Sequence, residues 1–174
     1  MLSLGNAVQT GLKTDLRTGM QYEYYGNQSE QFRAYTNILA VGQPMYVFYG
    51  YRTDGIVQSL AEGLSAGLSG DDAQPGEFKY VDIYDGDGLE TVDENDMCII
   101  GDPNPDFIYG LTNTFTWKDL SLSIFIQGSY GNDIFNVSRM ETEGMYDGKN
   151  QSTEVLKRWR IPGQITNVPK ANFN

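Results

Sequence analysis

The sequence predicts a mainly β chain of antiparallel, up-and-down strands with one or two short helices. Three observations carry this reading. Residues 106–136 alternate apolar and other side chains with period two, as half-buried strands do. Elsewhere, short runs of aromatic and β-branched residues are punctuated by Gly, Asn, Asp and Pro. Helix signals are confined to "SLAEGL" (59–64) and "STEVLKRW" (152–159), each about two turns, the second with a hydroxyl at its start.

Taken in chain order, "MQYEYYG" (20–26), "FRAYTNILAV" (32–41) and "MYVFYGY" (45–51) read as strands, with Gly42, Gln43 and Pro44 interrupting the last two. "YGYRTDG" (49–55) marks the exit from a strand, where Arg52 and Asp54 suit an exposed ion pair. "FKYVDIY" (78–84) is a further strand. "GDPNPDF" (101–107) is a rigid turn whose prolines set the chain's approach to the next element.

That next element, residues 106–136, is the most informative. Phe107, Tyr109, Leu111, Asn113, Phe115 and Trp117 hold the odd positions of its first half; Leu120, Leu122, Ile124, Ile126 and Tyr130 hold the even positions of its second. The parity switches at Lys118–Asp119. A two-residue turn there sets Trp117 opposite Leu120 and puts every such pair, out to Phe107–Tyr130, on one face. The other face is mostly Thr and Ser. Tyr46, Phe48, Tyr49 and Tyr51 suit a strand face or an aromatic girdle, and also stacking on sugar rings.

Composition removes several function classes. The net charge of −11 is local: residues 71–106 hold twelve Asp/Glu and one Lys, and the rest of the chain balances eleven acids with eleven bases. No basic face for nucleic acid is present. With no histidine, neither a Ser-His-Asp nor a Cys-His nucleophile can be assembled. The single cysteine, Cys98 beside Ile99 and Ile100, allows no internal disulfide and reads as a small packed residue. "MLSLGNAVQTGLKTD" (1–15) has no basic start followed by an apolar run, so no signal peptide is expected at Met1, and no run nears the ~20 apolar residues of a spanning helix.

Within the hairpin, aromatics cluster at both ends of the apolar face, with mainly aliphatics between. Eight to ten residues separate the clusters, roughly 26–33 Å along a strand. Tilted as in a barrel, this projects to roughly the height of an outer-membrane lipid band with its two aromatic girdles. A hairpin of a soluble β-sandwich, one face packed on a core, fits the same pattern.

The series "GQPMYVFYGYRTDGI" (42–56), "PGEFKYVDIYDGDG" (75–88), "DENDMCIIGDPNPDFIYGLTNTFTW" (93–117) and "SIFIQGSYGNDIFN" (123–136), followed by "LKRW" (156–159) and "TNVPKAN" (166–172), favours the barrel. From about residue 36 to the end it resembles the C-terminal part of the barrel of SusC/RagA-type TonB-dependent outer-membrane transporters. The resemblance implies a plug inside a roughly 22-stranded barrel, a SusD-like surface lipoprotein as lid, oligosaccharide or peptide as substrate, energy from the TonB complex, and residence in bacterial outer-membrane lipid.

On this reading residues 1–174 are part of a transmembrane β-barrel, without plug or signal peptide and with the final strands missing. Residues 52–105 form a long acidic extracellular loop region, 106–136 a transmembrane hairpin with a periplasmic Lys118–Asp119 turn, and 137–174 an extracellular loop. Four to six strand-like runs cannot close a barrel, so the piece alone is expected to aggregate through its open edges.

The acidic stretch "YVDIYDGDGLETVDENDMCIIGDPNP" (80–105) is the one candidate metal site. An EF-hand loop takes oxygen ligands at alternate positions with a glycine at the sharp turn. Counting from Asp85 puts Asp87, Asp93 and Asp96 on ligand positions, but Leu89 and Glu90 fall where an oxygen ligand and the glycine belong. Placing Gly88 at the turn leaves Asp96 two residues late. Calcium held by Asp85, Asp87, Asp93 and Asp96 is one expectation; a solvated loop whose Asp and Gly make turns is the other. A soluble all-β binding or adhesion module with a calcium-stabilised loop is the alternative to the transporter. Paired carboxylates alone do not make a glycosidase, and no enzyme is expected.

Overall fold

The computed structural model of the chain describes residues 12–25, 35–87, 91–145 and 148–171. Strands β1 (Lys13–Thr14), β2 (Gln21–Tyr25), β3 (Asn37–Ala40), β4 (Val47–Gly50) and β7 (Cys98–Gly101) form an antiparallel sheet in the order β1-β2-β3-β4-β7. The register sets Tyr22 against Ala40, Tyr24 against Ile38, Ile38 against Val47 and Tyr49 against Ile99. Directly opposed residues share a face. Tyr22, Ile38, Val47 and Tyr49 therefore meet in one buried cluster, rimmed by Met20, Tyr24, Ala40, Met97 and Ile99. The Tyr22 ring lies 5.6 Å from Tyr24, edge-on, and 5.0 Å from Tyr49.

A smaller unit follows. β5 (Thr53–Ile56) pairs with β6 (Phe78–Tyr80), and α1 (Leu60–Ser65) lies between them in sequence. Ser59 caps α1, its hydroxyl accepting from the Glu62 N–H. Val57, Leu68 and Ala73 form the second core, with Ala66, Tyr80 and Val92 around it. Gly63 is a requirement of packing, because a Cβ there would overlap the Ala73 carbonyl.

β8 (Phe107–Trp117) and β9 (Leu120–Tyr130) form a hairpin of two 11-residue strands. Its register runs from Phe107–Tyr130 to Trp117–Leu120, as the parity switch requires. Lys118 turns the chain at φ 53. Helix α2 (Val137–Glu143) and a short 3-10 turn, Thr153–Lys157, complete the chain. The three sheets are antiparallel and open, so no barrel closes among the described residues.

Several local expectations are corrected. "STEVLKRW" makes the 3-10 turn rather than an α-helix, capped by Ser152, whose hydroxyl accepts from the Glu154 N–H. β5, β7 and α2 arise where strand exits or loop were read. "FKYVDIY" stops being a strand at Tyr80, because the Ile83 and Tyr84 N–H groups turn to a carboxylate. Asp54 pairs with Lys79 at 3.1 Å, not with Arg52. Residues 26 and 32–34 of the strand runs, 88–90 of the acidic stretch and 172 of the last motif lie outside the described residues.

Candidate functional site

The hairpin is the first candidate surface. Its mainly apolar face carries Phe107, Tyr109, Leu111, Asn113, Phe115 and Trp117 on β8 and Leu120, Leu122, Ile124, Ile126, Gly128 and Tyr130 on β9. In a soluble sandwich this face would be covered. Instead Leu111, Phe115, Leu122 and Ile126 are 53%, 59%, 55% and 51% exposed. No second layer covers them among the described residues. A contiguous exposed apolar face marks a surface for a protein partner or a membrane.

The two ends of the hairpin are built differently. Phe107 stacks on Tyr130 at 5.2 Å and lies 6.2 Å from Tyr109, whose ring lies where a Cβ on Gly128 would sit. A side chain at 128 would displace that tyrosine. At the turn end, the Lys118 ammonium lies 4.9 Å from the centre of the Trp117 ring, a cation–π contact beside the tight turn. On the opposite face the hydroxyls of Thr114 and Ser123 bond at 3.2 Å. Ile108 and Phe125 interrupt that polar face.

The broad end of the hairpin is tied to the first sheet by side chains. Asp102 N–H donates to Asp133 Oδ2 at 2.9 Å, and Asp133 N–H returns a bond to the Asp102 carbonyl at 2.7 Å. Asn104 Nδ2 donates to the Met45 carbonyl, and Phe48 lies 6.1 Å from Phe135. The turn at 101–107 is thus held by Asp102, Asn104 and Asp133, residues that proline-based reasoning passed over.

The acidic stretch is the second candidate. Asp85 is exposed and opens a 3-10 turn, Asp85–Asp87. Asp93 caps a second 3-10 turn, Glu94–Asp96, accepting from the Asn95 N–H at 2.6 Å. Asp96 is 1% exposed. Its Oδ1 accepts from the Ile83 and Tyr84 N–H groups at 2.8 and 3.0 Å, and its Oδ2 accepts from the Asp93 N–H at 2.8 Å. These bonds recruit Asp96 as the hub that folds the stretch back on itself. Among the described residues no group of three or more His, Cys, Asp or Glu side chains is disposed to hold a metal ion.

Sequence counting missed Asp82. Its Oδ1 is buried with no hydrogen-bond partner among the described residues. Burial and the neighbouring Asp96 charge raise its pKa above the ordinary carboxylate value. It lines a cavity of about 540 Å³ with Asp54, Glu62, Lys79 and Asp85, a mainly acidic wall in which Lys79 is the one cation among the described residues.

The C-terminal motifs have a structural use. Trp159 Nε1 donates to Gln58 Oε1 at 3.0 Å, and Gly163 N–H donates to the same oxygen at 2.8 Å. Trp159 N–H bonds the Val168 carbonyl, and Lys170 N–H bonds the Gly76 carbonyl at 2.8 Å. Gly76, at φ 92, leaves room for the Trp159 ring and the Lys170 stem. "LKRW" and "TNVPKAN" therefore strap the chain's end across the small β5–β6 unit.

Open antiparallel strands, one hairpin apolar on a bare face, are consistent with a piece of a β-barrel wall. Two bacterial relatives say which wall. TonB-dependent receptor P3 of Formosa agariphila is 34% identical over 78% of this chain, and TonB-dependent receptor P26 of the same organism is 34% identical over 76%. The chain is a segment of TonB-dependent-receptor type, and it spans 13% of the length of each relative. No family model matches the chain. No described helix is long and apolar enough to cross a membrane.

Proposed function

We propose that this chain supplies barrel strands and outer loops to a TonB-dependent outer-membrane nutrient importer of the SusC-like kind. The observation that carries the reading is the bare apolar face of the β8–β9 hairpin, 11 residues on each strand with aromatics at both ends. That length suits a tilted transmembrane β-strand, for which about 9–11 residues suffice. In such a wall the apolar face meets acyl chains and the Thr/Ser face meets the lumen. The unsatisfied edges of β8 and β9 pair with neighbouring strands of the same barrel. The Lys118–Asp119 turn faces the periplasm. The acidic stretch, α2 and the C-terminal strap face outward, where a SusD-like lipoprotein lid and an oligosaccharide or peptide substrate are met. The TonB complex acts through a plug elsewhere in the whole protein.

Fractionation tests this. The whole protein carrying this segment is expected in outer membranes, with a folded band that shifts on boiling. Recovery as a soluble, heat-insensitive species sinks the importer in favour of a soluble adhesion module.

A calcium role for the acidic stretch is a second reading, favoured by the orphaned Asp82 Oδ1 beside Asp96. A cation would neutralise both carboxylates, with Asp85, Asp87 and Asp93 close by in sequence. Calorimetric titration of the whole protein with calcium is the check. No heat change, or the same affinity after Asp82→Asn and Asp87→Asn, removes it.

A further inference from the structure

A cavity of about 730 Å³ opens between the turn that joins β1 to β2, the end of β3, and the β4–β7 pair. Its lining residues include two arginines, Arg17 and Arg52, and one acid, Asp15, in a chain whose net charge is −11. Each arginine is held ready in a different way. Arg17 rides on a tight turn: Asp15 N–H donates to the Met20 carbonyl at 2.9 Å, Gly19 N–H donates to the Asp15 carbonyl at 2.8 Å, and Gly19 adopts φ 70. The buried Asp15 carboxylate is satisfied mainly by backbone, its Oδ1 accepting from Arg17 and Thr18 N–H at 2.9 and 3.0 Å. Its Oδ2 reaches Arg17 Nη2 only at 3.6 Å. Among the described residues, that single long contact is the one ion pair the guanidinium makes, leaving donors of its five for a ligand.

Arg52 leaves β4 with its backbone fixed, its carbonyl accepting from Val81 N–H at 3.0 Å. Its side chain enters no ion pair among the described residues, and the acid nearest in sequence, Asp54, is taken by Lys79. Cys98 lies in the cavity wall. Burial raises its thiol pKa, Arg17 and Arg52 oppose that rise, and the Asp15 charge adds to it. Gln21, Gln43 and Thr18 supply neutral donors and acceptors around them.

We propose that this cavity binds an acidic saccharide through a carboxylate or sulfate group gripped between Arg17 and Arg52. Guanidinium forks match planar or tetrahedral oxyanions and give the strongest hydrogen bonds available to a protein. The amide and hydroxyl side chains beside them match ring hydroxyls. The acidic 540 Å³ cavity lined by Asp54, Glu62, Asp82 and Asp85 repels the same ligand, which gives the chain an electrostatic preference between two sites. The ligand's role as cargo rests on the importer reading; its binding does not.

The test uses the whole outer-membrane protein in detergent at about 0.15 M salt. Calorimetry compares an oligogalacturonate, a sulfated galacto-oligosaccharide, neutral maltohexaose and an oligoglutamate peptide. The expected result is binding of at least one acidic saccharide in preference to the neutral one, the two acidic probes separating carboxylate from sulfate. Arg52→Gln is expected to weaken it by about tenfold or more. Arg52→Lys should fall between, because it keeps the charge and loses the fork. The boiling-dependent band shift, measured on the same samples, shows that each variant still forms its barrel. A barrel that binds neither acidic saccharide, binds the peptide better, or binds equally well with Arg17→Gln and Arg52→Gln combined overturns the site. A soluble protein that still binds through Arg52 overturns the importer and leaves the site standing.

Discussion

The five-stranded sheet and the β8–β9 hairpin obey the same period-two rule and end in opposite states. In the sheet, alternate residues of β2, β3 and β4 disappear into one cluster, with Ile38 at 0% and Val47 at 1% exposure. In the hairpin, the equally alternating Leu111, Leu122 and Ile126 stay bare. Alternation tells which side chains share a face. It does not tell what that face meets. The sheet buries its apolar face in a cluster of its own strands, whereas no described residue covers the hairpin's.

The largest expected effect breaks the sheet's half of this contrast. Ile38→Ala removes a fully buried side chain and should cost about 2–5 kcal/mol. Hydrogen exchange on the whole protein should show it as lost protection across β2, β3 and β4. Leu122→Ala, by contrast, leaves no cavity within the chain, and protection in β8 and β9 should change little. Comparable losses at both positions would mean that the hairpin is covered after all.

A charge sharpens the other half. Leu122→Arg should cost about 2–4 kcal/mol if the residue lies near the bilayer midplane, and less toward either interface. The readout is the folded, boiling-sensitive fraction in outer membranes. Thr114→Arg, on the opposite face, should fold with little penalty. Equal yields for the two would remove the distinction between lipid and lumen faces.

In the acidic stretch, Asp96→Ala strips three backbone N–H groups of their acceptor, and should cost about 1–3 kcal/mol. Local protection at 83, 84 and 93 should fall first. An unchanged exchange pattern would show that these amides find other partners.

The smallest effect is a pH dependence. Asp82 has its pKa raised by burial and by Asp96. The folded state therefore holds its proton more tightly than the unfolded chain does. That contribution is complete below the ordinary carboxylate range and is lost as pH climbs through the raised value. Without calcium, Asp82→Asn should flatten this loss and modestly steady the stretch at neutral pH. A variant less stable there than its parent would show that burial and the Asp96 charge do not govern this carboxylate.

Where the partner was local in sequence, the fold was legible. Trp117–Leu120 and every pair out to Phe107–Tyr130 follow from the parity switch alone, because a two-residue turn fixes the register and a slip would reverse every side chain. Ser59 and Ser152 both cap the turns that follow them, as hydroxyls do. Helix α2 also left a signal, with Asn136 as its cap and Arg139 reaching Glu143 one turn on, 2.8 Å away. It was missed because "VSRMETE" lacks an apolar stripe.

The candidate sites were less legible. Counting acids found Asp85, Asp87, Asp93 and Asp96 but could not distinguish a cation ligand from a carboxylate already engaged by backbone amides. Asp96 is engaged in that way, and Asp82 was left out because its isolation exists only once burial is known. β7 was invisible because it is four residues long and its partner, β4, lies about fifty residues upstream across a bulge. Arg52 read as the ion-pair partner of Asp54, and Arg17 gave no signal, because the cavity they share forms only when the β1–β2 turn packs beside β4 and β7.

By itself, then, the sequence determined the β class, the hairpin and its two faces, and the placement of the acidity, since each depends on periodicity or composition within a short span. Only the tertiary structure decided that one apolar face closes on a core while the other remains open, that Asp96 gathers amides, and that two distant arginines line one cavity. Those outcomes depend on which distant segments pack together, and burial, the quantity that sets their energies, exists only after packing.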